Sequence, residues 1–261
     1  MLGAIAGDII GSPYEFANFK EYEFPLFSEN STFTDDTVLT IAVADALIHD
    51  RIIVETFKSY TRRYPERGYG GSFIRWAFSD NPNPYNSWGN GSAMRTSSIG
   101  MYFPDPEIVL KNARDFAVVT HNHPEGIKGA QATAYAVFLA NQGASKEKIK
   151  KEISSKFAYD LSRKIKEIRP NYHFDVSCMG TVPEAIISFL ESENYEDAVR
   201  IAVSLGGDAD TLACITGSIA EAYYGSVPEQ IVKEVRNRLP QEFLEIIDEF
   251  YKLVSGIEIP S

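Results

Sequence analysis

The chain carries two short segments in which paired carboxylates stand beside a hydroxyl group. Residues 34–37 read TDDT and residues 208–211 read DADT, and each segment leads directly into an apolar stretch of helical length. Both stretches are apolar nearly all round, which is typical of helices in a protein core. Helix capping explains one carboxylate at each helix start, because Asp and Thr are favoured there and negative charge suits the positive helix end. Capping does not explain the second carboxylate.

Four carboxylates at the starts of two core helices are costly to bury unless something neutralises them. No excess of Lys or Arg lies beside either segment. Mg²⁺ and Mn²⁺ bind carboxylate, hydroxyl and water oxygens, so these ions would neutralise the acids. The two segments therefore predict a two-metal site that includes Thr34, Asp35, Asp36, Asp208, Asp210 and Thr211. Glu15 could add a fifth carboxylate, although a lone Glu is more often a solvated surface acid.

Two glycine-rich segments suit a phosphate-containing ligand. RGYGGS at residues 67–72 and SWGNGSAMR at residues 87–95 each precede a helical pattern. Glycine-rich turns before helices expose backbone N–H groups to anions, although such turns also occur without any ligand. The segment at residues 80–91 is dense in Asn, Pro and Gly but contains Tyr85 and Trp88. These aromatic residues favour a packed, ligand-facing loop over a plain connector.

The histidines and cysteines give weaker signals. His121 and His123 lie two residues apart, a spacing that does not place them on one helix face, so no zinc pair is expected. Contact with a ligand and an ordinary loop position remain equally open for them. Cys178 and Cys214 have no His or Cys at ligand spacing. We expect two buried thiols, no disulfide framework and a cytoplasmic location.

The composition excludes several functional classes. Of 261 residues, 44% are hydrophobic and 23% are charged, and no linker or repeat divides the chain, which predicts one domain over residues 1–261. A net charge of −11 without a basic stripe argues against nucleic-acid backbones and anionic membranes as partners. The N-terminal segment lacks a basic region and contains Asp8, so no signal peptide is expected. The most hydrophobic run, residues 38–48, is interrupted by Asp45 and is too short to span a membrane.

Helical periodicity recurs along the chain, which predicts an all-α fold. Strand-like alternation is confined to residues 22–27 and 172–176. Capping signals and periodicity predict helices after Asp105, from Pro124 to Gly143, over 146–169, from 181–184 (TVPE), from Asn194 to Gly206, from 226–229 (SVPE) and over 241–253.

Together these segments resemble the ADP-ribosylglycohydrolase family, which includes dinitrogenase-reductase-activating glycohydrolases and ADP-ribosylarginine and ADP-ribosylserine hydrolases. GAIAGDIIGSPYEF resembles the family's N-terminal helix and acidic flap, FTDDT its first metal motif and GGDADT its second. RGYGGS and SWGNGSAMR resemble its ligand loops, and THNHPEGIKGA its central His–Gly segment. The resemblance covers residues 1–225, and the two metal motifs in this order are its most specific part.

The resemblance implies an orthogonal helical bundle around two Mg²⁺ or Mn²⁺ ions, held by the six metal ligands named above. Glu15 matches the flap glutamate of the serine-directed branch. The residues that would bind diphosphate and ribose are Gly68, Tyr69, Gly70, Ser87, Trp88 and Gly89. His121 would lie beside the ligand, and Asn90, Gly91 and Ser92 are further candidate substrate-binding residues. In one departure, residues 81–84 (NPNP) replace the aromatic that some members stack on adenine. Tyr85 could substitute for it.

The leading hypothesis is a metal-dependent hydrolase that cleaves the glycosidic bond of an ADP-ribosyl group, with Glu15, Asp35 or Asp208 as catalytic carboxylate. Arginine, serine, a nucleic-acid base and a free ADP-ribose derivative all fit as acceptor, and we expect a monomer. Another two-metal hydrolase of phosphorylated nucleotides is an alternative. A third is a non-catalytic ADP-ribose-binding or structural member, although such relatives lose metal ligands and both motifs here are complete.

Overall fold

The computed structural model describes residues 1–255, which form fourteen α-helices and contain no β-strand. The helices are α1 (Leu2–Gly11), α2 (Asp35–Ile48), α3 (Ile53–Arg63), α4 (Gly71–Ala77), α5 (Ser97–Tyr102), α6 (Pro106–Val118), α7 (Pro124–Asn141), α8 (Lys146–Phe157), α9 (Ile165–Ile168), α10 (Cys178–Glu191), α11 (Tyr195–Val203), α12 (Ala209–Tyr224), α13 (Glu229–Arg236) and α14 (Gln241–Ser255). Two short 3₁₀ turns cover Ser12–Tyr14 and Asn90–Ser92. The all-α prediction is confirmed. None of these helices combines the length and apolarity that a membrane crossing needs.

Helices α1, α2 and α12 lie in the core and bring their acidic ends together. Every residue of α1 is buried, as are most residues of α2 and α12. Three glycines of α1, spaced one turn apart, face α12, where a Cβ atom at Gly7 would collide with the carbonyl oxygen of Ala213. The two backbones therefore approach more closely than any larger residue would allow. This close approach places Asp8 of α1 beside the start of α2.

Most of the predicted helix starts are confirmed. The Asp105 carboxylate accepts hydrogen bonds from the backbone N–H groups of Glu107 and Ile108, and Asn194 caps α11 by accepting from Asp197 N–H. Helix α7 begins at Pro124 as predicted. The closing helix predicted over 241–253 is α14, while the last six residues of the domain predicted over 1–261 lie outside the described residues.

The single amphipathic helix predicted over 146–169 is wrong. Helix α8 ends at Phe157, because Ala158 has a left-handed backbone with φ of 55°, and helical structure resumes only in the short α9. Leu161 and Ile165 are nevertheless buried, as their spacing suggested. A four-residue repeat of apolar residues therefore reports that one side of the segment is buried, but not that the helix continues.

Two further predictions from capping residues need correction. Helix α10 begins at Cys178 rather than at 181–184, because Ser177 accepts a hydrogen bond from Gly180 N–H, and Pro183 lies inside the helix. Helix α13 begins at Glu229 with Pro228 at its N-cap, so Ser226 does not cap it.

The strand-like stretches at 22–27 and 172–176 form no strand. An isolated bridge joins Gly89 to Ser177 next to the second stretch.

Substitution of Gly7 tests the contact between α1 and α12. We expect Gly7→Ala to lower the free energy of unfolding by about 1–3 kcal/mol, because a methyl group forces two close-packed helices apart. Urea denaturation measures this change. Gly70→Ala is the matched control, since a Cβ atom at Gly70 meets nothing within 4 Å. Equal stability of the two variants would contradict the close-packed contact.

Candidate metal centre

A cleft of about 310 Å³ opens where the starts of α2 and α12 meet. Thirteen of the predicted site residues line it: Glu15, Asp35, Asp36, Gly68, Gly70, Ser87, Gly89, Asn90, Gly91, His121, Asp208, Asp210 and Thr211. The glycine-rich segments and the acidic segments, distant in sequence, therefore share one cleft. Tyr85, from the loop predicted to face a ligand, also lines it.

Four predicted site residues lie outside the lining of this cleft. Thr34 lies behind it as the N-cap of α2, and the ring of Tyr69 stacks on Phe73 with centroids 5.6 Å apart. The Ser92 hydroxyl is buried and donates to the carbonyl oxygen of Gly126 at 2.7 Å. Trp88 is 46% exposed and lines an adjacent depression of about 290 Å³. This depression shares Ser72, Tyr85, Ser87, Gly89 and Val176 with the cleft.

Hydrogen bonds connect the two helix starts. Thr34 Oγ1 accepts from the backbone N–H of Asp36 at 3.2 Å, which caps α2. Thr211 Oγ1 donates to Asp36 Oδ1 at 3.3 Å, across the gap between α2 and α12. Asn90 Nδ2 donates to Asp208 Oδ2 at 2.6 Å and thereby fixes the N-cap residue of α12. Asn90, predicted to bind substrate, thus also orients a candidate metal ligand.

Asp8 is a site residue that sequence reasoning missed. Its carboxylate is fully buried and accepts hydrogen bonds from Thr34 N–H at 3.0 Å, Thr34 Oγ1 at 2.7 Å and Thr37 N–H at 3.1 Å. Thr37 Oγ1 donates a fourth bond. Asp8 therefore holds the first turn of α2 in place. The sequence signal was an isolated acid within an otherwise apolar helix. A buried carboxylate is costly unless hydrogen-bond donors such as those of Thr34 and Thr37 surround it.

The site concentrates negative charge that no ion pair neutralises in the described residues, although Arg95 lines the same cleft. Carboxylate oxygens of Glu15, Asp208 and Asp210 lie within 4.8 Å of one another. Within residues 1–255, none of these carboxylates, nor those of Asp8, Asp35 and Asp36, forms an ion pair with Lys, Arg or His. The mutual repulsion is partly offset by the positive ends of α2 and α12.

Burial and this repulsion raise the carboxyl pKa values. Burial raises the pKa of Asp8 to about 6, opposed by its hydrogen bonds from Thr37 and Thr34. Burial, with the charges of Asp208 and Asp8, raises the pKa of Glu15 to about 7. The pKa values of Asp36 and Asp210 lie well above the ordinary value, through burial and neighbouring carboxylates. The same causes raise the pKa of Asp35 well above the ordinary value, and burial raises that of Asp208.

The donor set fits hard divalent cations. Asp36 Oδ2 is buried and has no hydrogen-bond partner within residues 1–255, although a buried carboxylate oxygen normally has one. Every predicted metal ligand presents oxygen, which suits Mg²⁺ and Mn²⁺ better than softer metals. Glu15, which follows a 3₁₀ turn and is half-buried, adds its carboxylate to those of α12 rather than facing solvent alone. The cluster of acidic residues could therefore bind a metal.

One wall of the cleft carries the glycine turns and two nitrogen-bearing side chains. A Cβ atom built on Gly89 or Gly91 would stand 3.6 or 3.5 Å from His121 Nε2, so these glycines leave that nitrogen uncovered. Arg95, whose role the sequence did not show, is 1% exposed, and burial lowers its pKa to about 10. Burial and the charge of Arg95 lower the pKa of His121 well below its ordinary value. His121 is therefore neutral near pH 7.

Comparisons with known proteins identify one family. The family model for ADP-ribosylglycohydrolase matches residues 1–258. ADP-ribosylhydrolase ARH3 of Gallus gallus is 28% identical, with 76% of this chain and 71% of that protein aligned. The Homo sapiens protein of the same name is 27% identical over 88% and 86% of the two chains. A solved structure, an ADP-ribosylglycohydrolase-related protein complex, shares the fold with a TM-score of 0.71, covering 97% of each chain at 24% identity.

The carboxylate cluster predicts an unusual pH dependence of stability without metal. The pKa of Asp8 is raised from 3.8 to about 6 in the folded protein, and that of Glu15 from 4.5 to about 7. As the pH rises, these two carboxyl groups lose their protons in the unfolded state before they do so in the folded protein. Their contribution to the free energy of unfolding therefore falls between about pH 4 and about pH 7. Mg²⁺ should therefore raise the melting temperature more at pH 7.5 than at pH 5.

Calorimetry with and without EDTA measures both effects, and Asp36→Asn provides the comparison. With one acid fewer, the variant should lose less stability over the same pH range. A wild-type melting temperature that responds to Mg²⁺ equally at both pH values would contradict the prediction.

Proposed function

Because this chain belongs to the ADP-ribosylglycohydrolase family, we propose that it hydrolyses the glycosidic bond of an ADP-ribosyl group and releases ADP-ribose. The observation that carries the proposal is the convergence of the two acidic segments on one cleft, joined by the hydrogen bond from Thr211 to Asp36. A capping role alone would not require the two helix starts to meet. The names of the ARH3 relatives, which are ADP-ribosylhydrolases, support the same reaction.

We assign the metal site to two Mg²⁺ or Mn²⁺ ions, held by Thr34, Asp35, Asp36, Asp208, Asp210 and Thr211. When bound, such ions neutralise the carboxylates and polarise hydroxyl and water oxygens. Thr34 Oγ1 already donates to Asp8 and accepts from Asp36 N–H, which leaves one lone pair free. Asp8 and Asn90 would act behind the ligands by holding Thr34 and Asp208.

The glycine-rich wall would hold the ADP-ribosyl group. Gly68, Gly70 and Gly91 present backbone groups to the cleft, whereas the N–H groups of Ser87 and Gly89 already donate to the Thr120 carbonyl oxygen and to Ser87 Oγ. Backbone N–H groups bind phosphate oxygens without basic side chains, which explains how a chain of net charge −11 could bind an anion. The depression beside Trp88 and Tyr85 continues the cleft and would extend the surface available to the nucleotide.

The carboxylates would also perform the chemistry at the anomeric carbon. Glu15 lies beside Asp208 and Asp210 but is only half-buried, so it can exchange protons with solvent. A carboxylate with a raised pKa is suited to accept a proton from an attacking water near neutral pH. Asp35 and Asp208 are the other candidates for this role. Positive charge that develops on the sugar in the transition state would be stabilised by the surrounding carboxylates.

The direct test is release of ADP-ribose from a panel of ADP-ribosylated acceptors, including arginine, serine and nucleic-acid bases, with Mg²⁺ or Mn²⁺. Identification of the products by mass spectrometry separates the proposed reaction from its main alternative. Free ADP-ribose supports glycosidic cleavage. AMP would instead identify a nucleotide pyrophosphatase, and no product with any acceptor would favour a binding protein.

Asp210→Asn separates a metal ligand from a helix-capping residue. We expect the variant to stay folded, because asparagine keeps the size of the side chain and one buried like charge is removed. ADP-ribose release should fall at least about a hundredfold, because orientation of the sugar and activation of water both depend on the site. Melting curves and release rates are measured on the same preparation.

Asp105→Asn is the matched control, since Asp105 caps α6 and does not line the cleft. Its release rate should equal that of the wild type. If Asp210→Asn also retained the wild-type rate, Asp210 would be a structural residue and the proposed site would be wrong.

A further inference from the structure

Three neighbouring side chains in the wall of the cleft form a continuous chain of hydrogen bonds. Arg95 Nη2 donates to Thr120 Oγ1 at 2.9 Å, and Thr120 Oγ1 lies 2.7 Å from His121 Nδ1. All three residues are at least 96% buried. Their order runs from a buried guanidinium, through a hydroxyl group, to an imidazole, and both Arg95 and His121 line the cleft.

The hydrogen-bonding capacities of these groups fix where the protons lie. Arginine only donates, so Thr120 Oγ1 accepts from Arg95. The hydroxyl proton of Thr120 then needs an acceptor, and within residues 1–255 its other close partner is His121 Nδ1. His121 Nδ1 therefore accepts. A neutral imidazole that accepts at Nδ1 carries its proton on Nε2.

His121 Nε2 is directed at the glycine turn that lines the cleft. It lies 3.5–3.6 Å from the positions that Cβ atoms would occupy on Gly89 and Gly91. Within the described part of the chain, Nε2 makes no hydrogen bond. The Nε2–H group thus faces the space assigned to the ligand with its donor unused.

The buried arginine is costly, which argues that it does more than fill space. Arg95 Nε and Nη1 are buried without a hydrogen-bond partner among residues 1–255. The guanidinium lies 4.3 Å above the ring of Phe57, which partly stabilises its charge. Its charge also discourages protonation of His121, so the histidine does not add a second positive charge next to a site for metal cations.

We propose that Arg95 and Thr120 are positioning residues that hold His121 as the Nε2–H tautomer, so that it donates a hydrogen bond to an oxygen of ADP-ribose. The ligand in this proposal rests on the proposed function, whereas the tautomer does not. The opposite tautomer would turn a lone pair toward the ligand and would repel an oxygen that carries no proton, such as a phosphate oxygen. Fixing the tautomer in advance removes the need for reorganisation when the ligand binds.

Nitrogen-15 NMR of the histidine side chains measures the tautomer without any ligand. The His121 signals are assigned by their absence from the spectrum of His121→Gln. We expect Nε2 to resonate in the protonated range and Nδ1 in the unprotonated range near pH 7. A wild-type spectrum with Nδ1 protonated would overturn the proposal, whatever the protein binds.

Thr120→Val tests the chain of hydrogen bonds, because it removes the hydroxyl group and keeps the shape. We expect a mixture of tautomers and an affinity for ADP-ribose about tenfold weaker, measured by calorimetry. Thr120→Ser keeps the hydroxyl group and should show the wild-type tautomer and the wild-type affinity for ADP-ribose. Thr133→Val is the matched control, since Thr133 Oγ1 is buried without a partner in the described residues, and neither measurement should change.

An unchanged tautomer and affinity in Thr120→Val would contradict the role of Thr120. If Thr120→Val does not fold, Thr120→Ala is measured instead, and the wild-type spectrum still decides the tautomer. Absence of ADP-ribose binding by the wild type would refute the proposed function. The NMR result would then still stand as a separate test of the positioning residues.

Discussion

Repulsion among buried carboxylates is the constraint on which the rest of the structure depends. Asp8, Asp36, Asp208 and Asp210 lie in the interior, and Glu15 joins them from its position just after the 3₁₀ turn that follows α1. None of these carboxylates forms an ion pair with a basic side chain in the described residues. Protons can relieve the repulsion, as the raised pKa values show. Divalent cations can relieve it while keeping the carboxylates ionised near neutral pH. A protein that keeps this arrangement gives up stability in the metal-free state, which is expected of a binding site rather than of a packed core.

The fold supplies the framework that holds the acids together. Small residues let α1 and α12 pack closely, and this contact carries Asp8 to the start of α2. Both carboxylate oxygens of Asp8 accept hydrogen bonds from Thr34 and Thr37. Asp8 therefore positions the first turn of α2 and is not itself a candidate metal ligand. The opposite wall has the complementary character. It presents backbone groups, a neutral histidine and one buried arginine, which together suit an anionic ligand.

Much of the fold and of the candidate site could be predicted from the sequence. Local signals sufficed where one residue type determines the outcome, as with Asp105 at the start of α6 and the acidic segments at the starts of α2 and α12. Prediction failed where tertiary contacts decide. The left-handed turn at Ala158 ends α8 within a continuous apolar repeat, and nothing local marks it. Asp8 and Arg95 are isolated charges in the sequence, and their importance appears only when distant partners meet them.

The central claim is that the acidic segments form a metal site between α2 and α12. A crystal structure of the protein grown with Mn²⁺, with anomalous scattering recorded for manganese, tests it most directly. We expect two anomalous peaks between the two helix starts, in contact with carboxylate oxygens that include those of Asp36 and Asp210. An anomalous map without a peak at this position, at saturating Mn²⁺ and neutral pH, would contradict the claim.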